Sequence, residues 1–113
     1  MAKGVMIVES RPVDAAREDE YNEWYWRTHV PEVCSVPGIV GVRRYRLRPR
    51  GGDRPDALPT YLALYDLEAD DLEEPLRALG RRSAEGRSTP GDAMQADPPP
   101  VVTLYELLEE KWV

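Results

Sequence analysis

The 113-residue chain has one cysteine and one histidine. Cys34 has no partner for an internal disulfide, and together with His29 it supplies too few soft ligands for a structural zinc site. No metal is expected. No stretch approaches the roughly 20 apolar residues that cross a bilayer, and the N-terminus lacks the apolar run of a signal peptide. A cytoplasmic location without a membrane partner is therefore expected. Positive charge is in deficit: 15 Lys and Arg against 21 Asp and Glu leave a net charge of -6, which repels phosphate backbones unless a local patch overrides it. The nearest approach to such a patch is Arg43, Arg44, Arg46, Arg48, Arg50 and Arg54, and strand alternation divides several of these between two faces. Nucleic acid is not an expected partner. Also missing are the G-x-G-x-x-G, phosphate-loop, nucleophile-elbow and H-E-x-x-H patterns, which removes dinucleotide binding, phosphoryl transfer and zinc hydrolysis. Cofactor-independent chemistry, or none, remains, and no cofactor is expected.

What is present suits a packed core. Hydrophobic residues are 42% and charged residues 32% of the chain, a balance that argues against wholesale disorder. The length leaves little room for a second folding unit, so one domain over residues 1–113 is expected.

Residues 3–9, KGVMIVE, form a β-branched run that ends before Arg11-Pro12 and predict strand one. Over residues 14–28, Tyr21, Trp24, Tyr25 and Thr28 recur at helical spacing, with Glu18, Asp19, Glu20 and Glu23 mostly opposite, which predicts helix one. Pro31 predicts a kink or break near His29, a short turn over 31–36, and Pro37-Gly38 a reversal. Strand two is predicted over 39–47, a loop over 48–55 and strand three over 60–67. Leu72, Leu76 and Leu79 share one face of a second helix that Gly80 and Gly86 weaken, while Pro75 suits only its first turn. Residues 87–100 read as a long loop, and 101–108 as strand four. The order β-α-β-β-α-β is the split βαβ arrangement: an α+β, ferredoxin-like fold with a four-stranded antiparallel sheet and both helices on one face. The other face is expected to expose apolar residues, among them Tyr61, Ala63 and Tyr65, for a second copy to cover.

Residues 20–45, EYNEWYWRTHVPEVCSVPGIVGVRRY, hold an E-W-Y-x-x-x-H-V-P core, then P-G and R-R-Y. The segment resembles the EthD-like branch of the dimeric α/β-barrel superfamily, with its aromatic-rich helix, its Thr-His-hydrophobic-Pro turn and its Pro-Gly entry to the second strand. That resemblance implies a homodimer with a pocket, in a superfamily of cofactorless monooxygenases, polyketide cyclases, muconolactone isomerases and proteins associated with degradation pathways. The chain departs from better-characterised members in its proline-rich loop before strand four and in lacking a second histidine, which excludes a two-histidine mechanism.

His29 is the one side chain that ordinarily titrates near neutrality, so it is the candidate for moving a proton on a substrate; the resemblance places it at the pocket border. It equally suits capping a helix end. Tyr61 and Tyr65 share a strand face and are candidate substrate contacts, with Tyr45 and Tyr105 also on strands, although such tyrosines commonly serve packing. Trp24 belongs to the core stripe. Trp26 points away from it, toward a loop, a ligand or a partner subunit, and Trp112 is similar. Of Arg43 and Arg44, one faces inward, to bind a substrate anion or pair with an acid; Arg43 is the candidate. Cys34 reads as a small filler or as a nucleophile based by His29. Two readings follow. One is an isomerase, cyclase or monooxygenase acting on an aromatic or polyketide-like molecule with His29 as acid or base; the other is a non-catalytic ligand-binding or accessory dimer.

Overall fold

The structure, a computed structural model, describes residues 1–50 and 60–113. Most of the expected 48–55 loop, including Arg54, lies outside the described residues. Strands β1 (Ala2–Ser10), β2 (Ile39–Arg46), β3 (Tyr61–Ala69) and β4 (Val101–Glu106) form one antiparallel sheet in the order β2-β3-β1-β4. The helices are α1 (Glu18–Trp24), α2 (Val30–Cys34) and α3 (Glu73–Ala84). This is the ferredoxin-like α+β arrangement expected from the order of elements.

Pairing register decides which residues meet the helices. The row Val42, Tyr65, Met6 and Leu104 crosses the sheet on the inner face, and the next row is Arg44, Ala63, Val8 and Val102. Tyr65, Leu67, Ala63 and Met6 are buried there with Tyr21, Tyr25, Val30 and Val33 from the helices. The expectation that Tyr61, Ala63 and Tyr65 lie on the open face is therefore corrected: all three face the helices. The open face instead presents Arg43, Leu64, Ile7 and Thr103 in one row, flanked by rows holding Tyr45 and Leu62, and Val5 and Tyr105. Both faces of β3 are apolar, so alternation alone could not orient it.

Of the kink or break expected near His29, the structure has a local irregularity and no break. Residues Tyr25–His29 form a π-helical turn that joins α1 to α2 without interruption. Pro31 has no N–H for the carbonyl one turn back, and its ring crowds that turn. A π turn, with its wider i to i+5 spacing, supplies the room. Helix α3 holds Pro75 in its first turn, passes through Gly80 and stops before Gly86, whose φ is +69°. Gly38, at φ +97°, makes the reversal into β2; there a Cβ would also lie 2.9 Å from Pro75 Cγ.

Residues 87–100 make no helix or strand yet are held at several points. Val13 donates its N–H to the Ala93 carbonyl at 2.7 Å, and Gln95 to that of Arg11 at 2.9 Å. The Arg17 guanidinium pairs with Asp92 at 2.9 Å. The segment thereby lies along the helix side of the sheet and forms one wall of the cleft described next.

Candidate functional site

Between the inner sheet face, the long helix and α3 lies a cleft of about 710 Å³, well within the range of small-molecule sites. Its floor is Met6, Val8, Tyr65 and Val102 from the sheet; Trp24, Tyr25, His29, Glu32 and Val33 form the helical wall; Leu76, Leu79 and Arg82 of α3 face them, and residues 87–91 with Met94 close the side. The cleft lies within a single chain, so it does not need the space between two sheets to exist.

His29 is half-buried in the helical wall. Residues five apart on an α-helix diverge by about 140°, but the π turn realigns them, and the His29 ring stacks on Trp24 with centroids 4.8 Å apart and planes 20° from parallel. Tyr25 meets the same imidazole edge-on, also at 4.8 Å. Burial disfavours the imidazolium and pushes the His29 pKa below its ordinary value; nearby Glu32 opposes this and Arg44 reinforces it. At neutral pH the ring is thus uncharged and able to accept a proton.

Glu32 stands one helical turn further along. Thr89 donates to its carboxylate through its main-chain N–H at 3.0 Å and through its hydroxyl, and these two bonds hold Glu32 below the ordinary carboxylate range. Nearby, Gly91 lies against the Trp24 indole so closely that a Cβ there would sit 2.2 Å from Cε2.

One buried donor in the wall, Trp24 Nε1, has no hydrogen-bond partner among the described residues, and the buried Tyr25 and Tyr65 hydroxyls interact with each other without meeting a further group at hydrogen-bonding geometry. Groups of this kind are rare in folded proteins and mark positions that a ligand or water can satisfy. Burial, with the neighbouring Tyr25, drives the Tyr65 pKa far above that of a free phenol, and burial raises Tyr25 as well. Both are therefore neutral donors.

The sequence-derived candidates divide accordingly. His29 and Tyr65 line the cleft. Tyr61 is buried beside it: its hydroxyl donates to Glu18 and accepts from Asn22 Nδ2 at 3.0 Å. Arg43 belongs to the opposite sheet face, 3.6 Å from Asp66, while Arg44 is the inward arginine. The Arg44 guanidinium lies over the rings of Tyr25, Tyr61 and Tyr21 at 4.3, 5.2 and 5.6 Å and donates to Asn22 at 3.0 Å. Trp26 is 54% exposed and outside the cleft, as is Trp112 at 86%. Tyr45 and Tyr105 are exposed on the open face. Cys34 makes no recorded bond to His29, and burial raises its thiol pKa, which suits a filler rather than a nucleophile.

Glu32, Arg82 and Thr89 escaped sequence reasoning, whereas Arg44 is the inward member of the Arg43 and Arg44 pair that alternation left undecided. Glu32 carried one usable signal, its i+3 spacing from His29; the approach of residues 82 and 89 is long-range and left none. Among the described residues no cluster of metal-ligating groups occurs, and no helix is long and apolar enough to cross a membrane.

Three solved structures superpose over nearly the whole chain. An EthD family protein from Bacillus halodurans C-125 matches at TM-score 0.56 and 13% identity, covering 93% of this chain and 99% of that one. An MhuD variant with two manganese protoporphyrin IX molecules per active site matches at 0.56 and 18%, covering 96% and 99%. The fold is the ferredoxin-like α+β fold that these structures share. A candidate monooxygenase from Shewanella loihica PV-4 has the same fold, at 0.54 and 19%, with 97% and 99% covered. No family model and no curated protein matches the chain in sequence. Identities this low carry the fold alone and leave the chemistry to the cleft.

Proposed function

We propose that the cleft binds a flat, largely apolar molecule, aromatic or polyketide-like, and that His29 takes a proton from it. The observation that carries this reading is the desolvated His29 imidazole, stacked on Trp24, whose buried Nε1 lacks a partner among the described residues, in a cleft that Tyr25 and Tyr65 also line. Stacked ring faces suit a planar ligand. In the MhuD variant the same fold holds porphyrins, which supports a large flat occupant.

The proton leaves a substrate carbon beside a carbonyl, or a ring hydroxyl, for the imidazole; the electron pair moves onto the substrate oxygen, to which Tyr65 or Tyr25 donates. Return of the proton to another carbon completes an isomerisation. Attack of the carbanion on a second carbonyl, whose oxygen takes the proton back from His29, completes a cyclisation, and in a monooxygenase dioxygen as co-substrate oxidises the same anion, one oxygen atom entering the product and the other leaving as water. Positioned acid-base groups contribute roughly 10² to 10⁴ in rate. With a panel of anthrones and hydroxylated naphthoquinones, His29→Ala is expected to lose turnover by that factor. Turnover within about tenfold of wild type rejects the role.

A second reading, capture of an intermediate without turnover, is favoured by the engagement of Glu32 with Thr89, which leaves His29 as the one free base in the wall among the described residues. Under it, binding survives and no member of the panel is converted. We also propose that the open sheet face, with Val5, Ile7, Leu62, Leu64 and Tyr105, pairs with a second copy; exposed apolar area of this kind marks an interface.

A further inference from the structure

We infer that the cleft's ligand carries a carboxylate and that Arg82 binds it. This deepens the cleft reading and rests on it. Arg82 lines the cleft from α3 and is half-buried. Its Nη1 donates to Ser35 Oγ at 2.6 Å and to the Glu32 main-chain carbonyl at 3.4 Å, while its Nε and Nη2 make no hydrogen bond among the described residues. The neighbouring arginines differ: Arg81 pairs with Glu74 at 2.7 Å and Arg87 with Glu85 at 3.2 Å. Arg82 has no acidic partner among the described residues, and the Glu32 carboxylate is bound to Thr89.

A guanidinium without a counter-ion, at the edge of a largely apolar cleft, attracts an anion more strongly than one in open water. With Nη1 anchored, the remaining Nε and Nη2 present the fork that matches two carboxylate oxygens. Glu32, whose carbonyl takes this anchor, is three residues from His29 on the same helical wall, so Arg82 and His29 face one cleft. A ligand whose carboxylate rests on Arg82 therefore presents to His29 an atom near its acid group, and its apolar body lies along Met6, Val8 and Tyr65. The class selected is an aromatic or polyketide-like acid, functionalised close to the carboxylate.

Calorimetric titration with 2-naphthoate and its neutral isostere 2-naphthamide tests the assignment at pH 7.5. Wild type is expected to favour the acid by about tenfold to a hundredfold, the scale of a hydrogen bond to a charged group. Arg82→Gln is expected to abolish that preference while leaving amide binding unchanged, which also verifies its folding; Arg82→Lys keeps part of it. Equal wild-type affinity for the two probes, or an Arg82→Gln loss shared by both, overturns the role of Arg82 and leaves the cleft reading standing. Binding of neither probe counts against the cleft itself, and this inference falls with it.

Discussion

The His29 imidazole lies against the Trp24 indole, 4.8 Å from centroid to centroid and 20° from parallel, although the two residues are five apart in sequence. An α-helix would turn them away from each other; the π turn at Tyr25–His29 brings them together. The local irregularity forced by Pro31 thus places the chain's single histidine in the wall of the cleft.

Burial at this position has a sign. The unfolded chain binds a proton at His29 near pH 6.5, whereas the folded chain binds it only at lower pH because burial disfavours the imidazolium. Below about pH 6.5 the unfolded state therefore holds more protons, and stability falls as pH drops until the folded value is passed. Thermal melts at pH 5.0 and 7.5 are expected to show a larger acid loss for wild type than for His29→Gln. Equal losses would place the imidazole in solvent.

Tyr65 gives a prediction of opposite sign for stability and function. Its buried hydroxyl interacts only with that of Tyr25 among the described residues and not at good hydrogen-bonding geometry, so Tyr65→Phe removes a desolvated group at the loss of at most one weak bond and is expected to leave the melting temperature unchanged or raised. If that hydroxyl serves a ligand, affinity for an oxygen-bearing aromatic falls by up to about tenfold, the worth of one neutral hydrogen bond. A marked loss of stability would mean a structural bond.

Much of the fold was legible in the sequence because it rests on local signals. Pro37-Gly38 marks the reversal into β2, and Tyr21 and Tyr25 recur at helical spacing and are both buried. What was illegible depends on comparison between distant segments. Tyr61 and Leu62 are similarly apolar, so which face of β3 meets the helices is set by packing and not by pattern. Arg43 and Arg44 pose the same problem at a charged pair. Glu32 with Thr89, 57 residues apart, and Arg82 with Ser35, 47 apart, meet through the loop and α3 and have no sequence signature.

Two glycines test the cleft wall against the helix beside it. Gly91→Ala places a methyl inside the Trp24 ring and is expected to destabilise by about 1–3 kcal/mol, as overpacking does, with a red shift of Trp24 emission as the 87–94 segment moves off. Gly80→Ala meets nothing within 4 Å within α3 and is expected to stabilise by about 0.5–1 kcal/mol. Equal effects would show that residue 91 does not pack on Trp24.

On the open sheet face, Leu64 lies between Ile7 and Arg43 in a row that no helix covers. Leu64→Arg is expected to convert a dimer to monomers in sedimentation at micromolar concentration while leaving naphthoate binding intact, since the cleft belongs to one chain. Loss of binding with dissociation would mean that the partner completes the site.

The most direct test uses the single histidine. A long-range ¹H–¹⁵N spectrum contains one imidazole, and its titration reports the His29 microenvironment without assignment. The account predicts a midpoint below 6.5 in the free protein and displaced imidazole signals when an aromatic ligand such as 2-naphthoate or 2-naphthamide fills the cleft. A midpoint at or above 6.5, with signals that no such ligand moves, would contradict it.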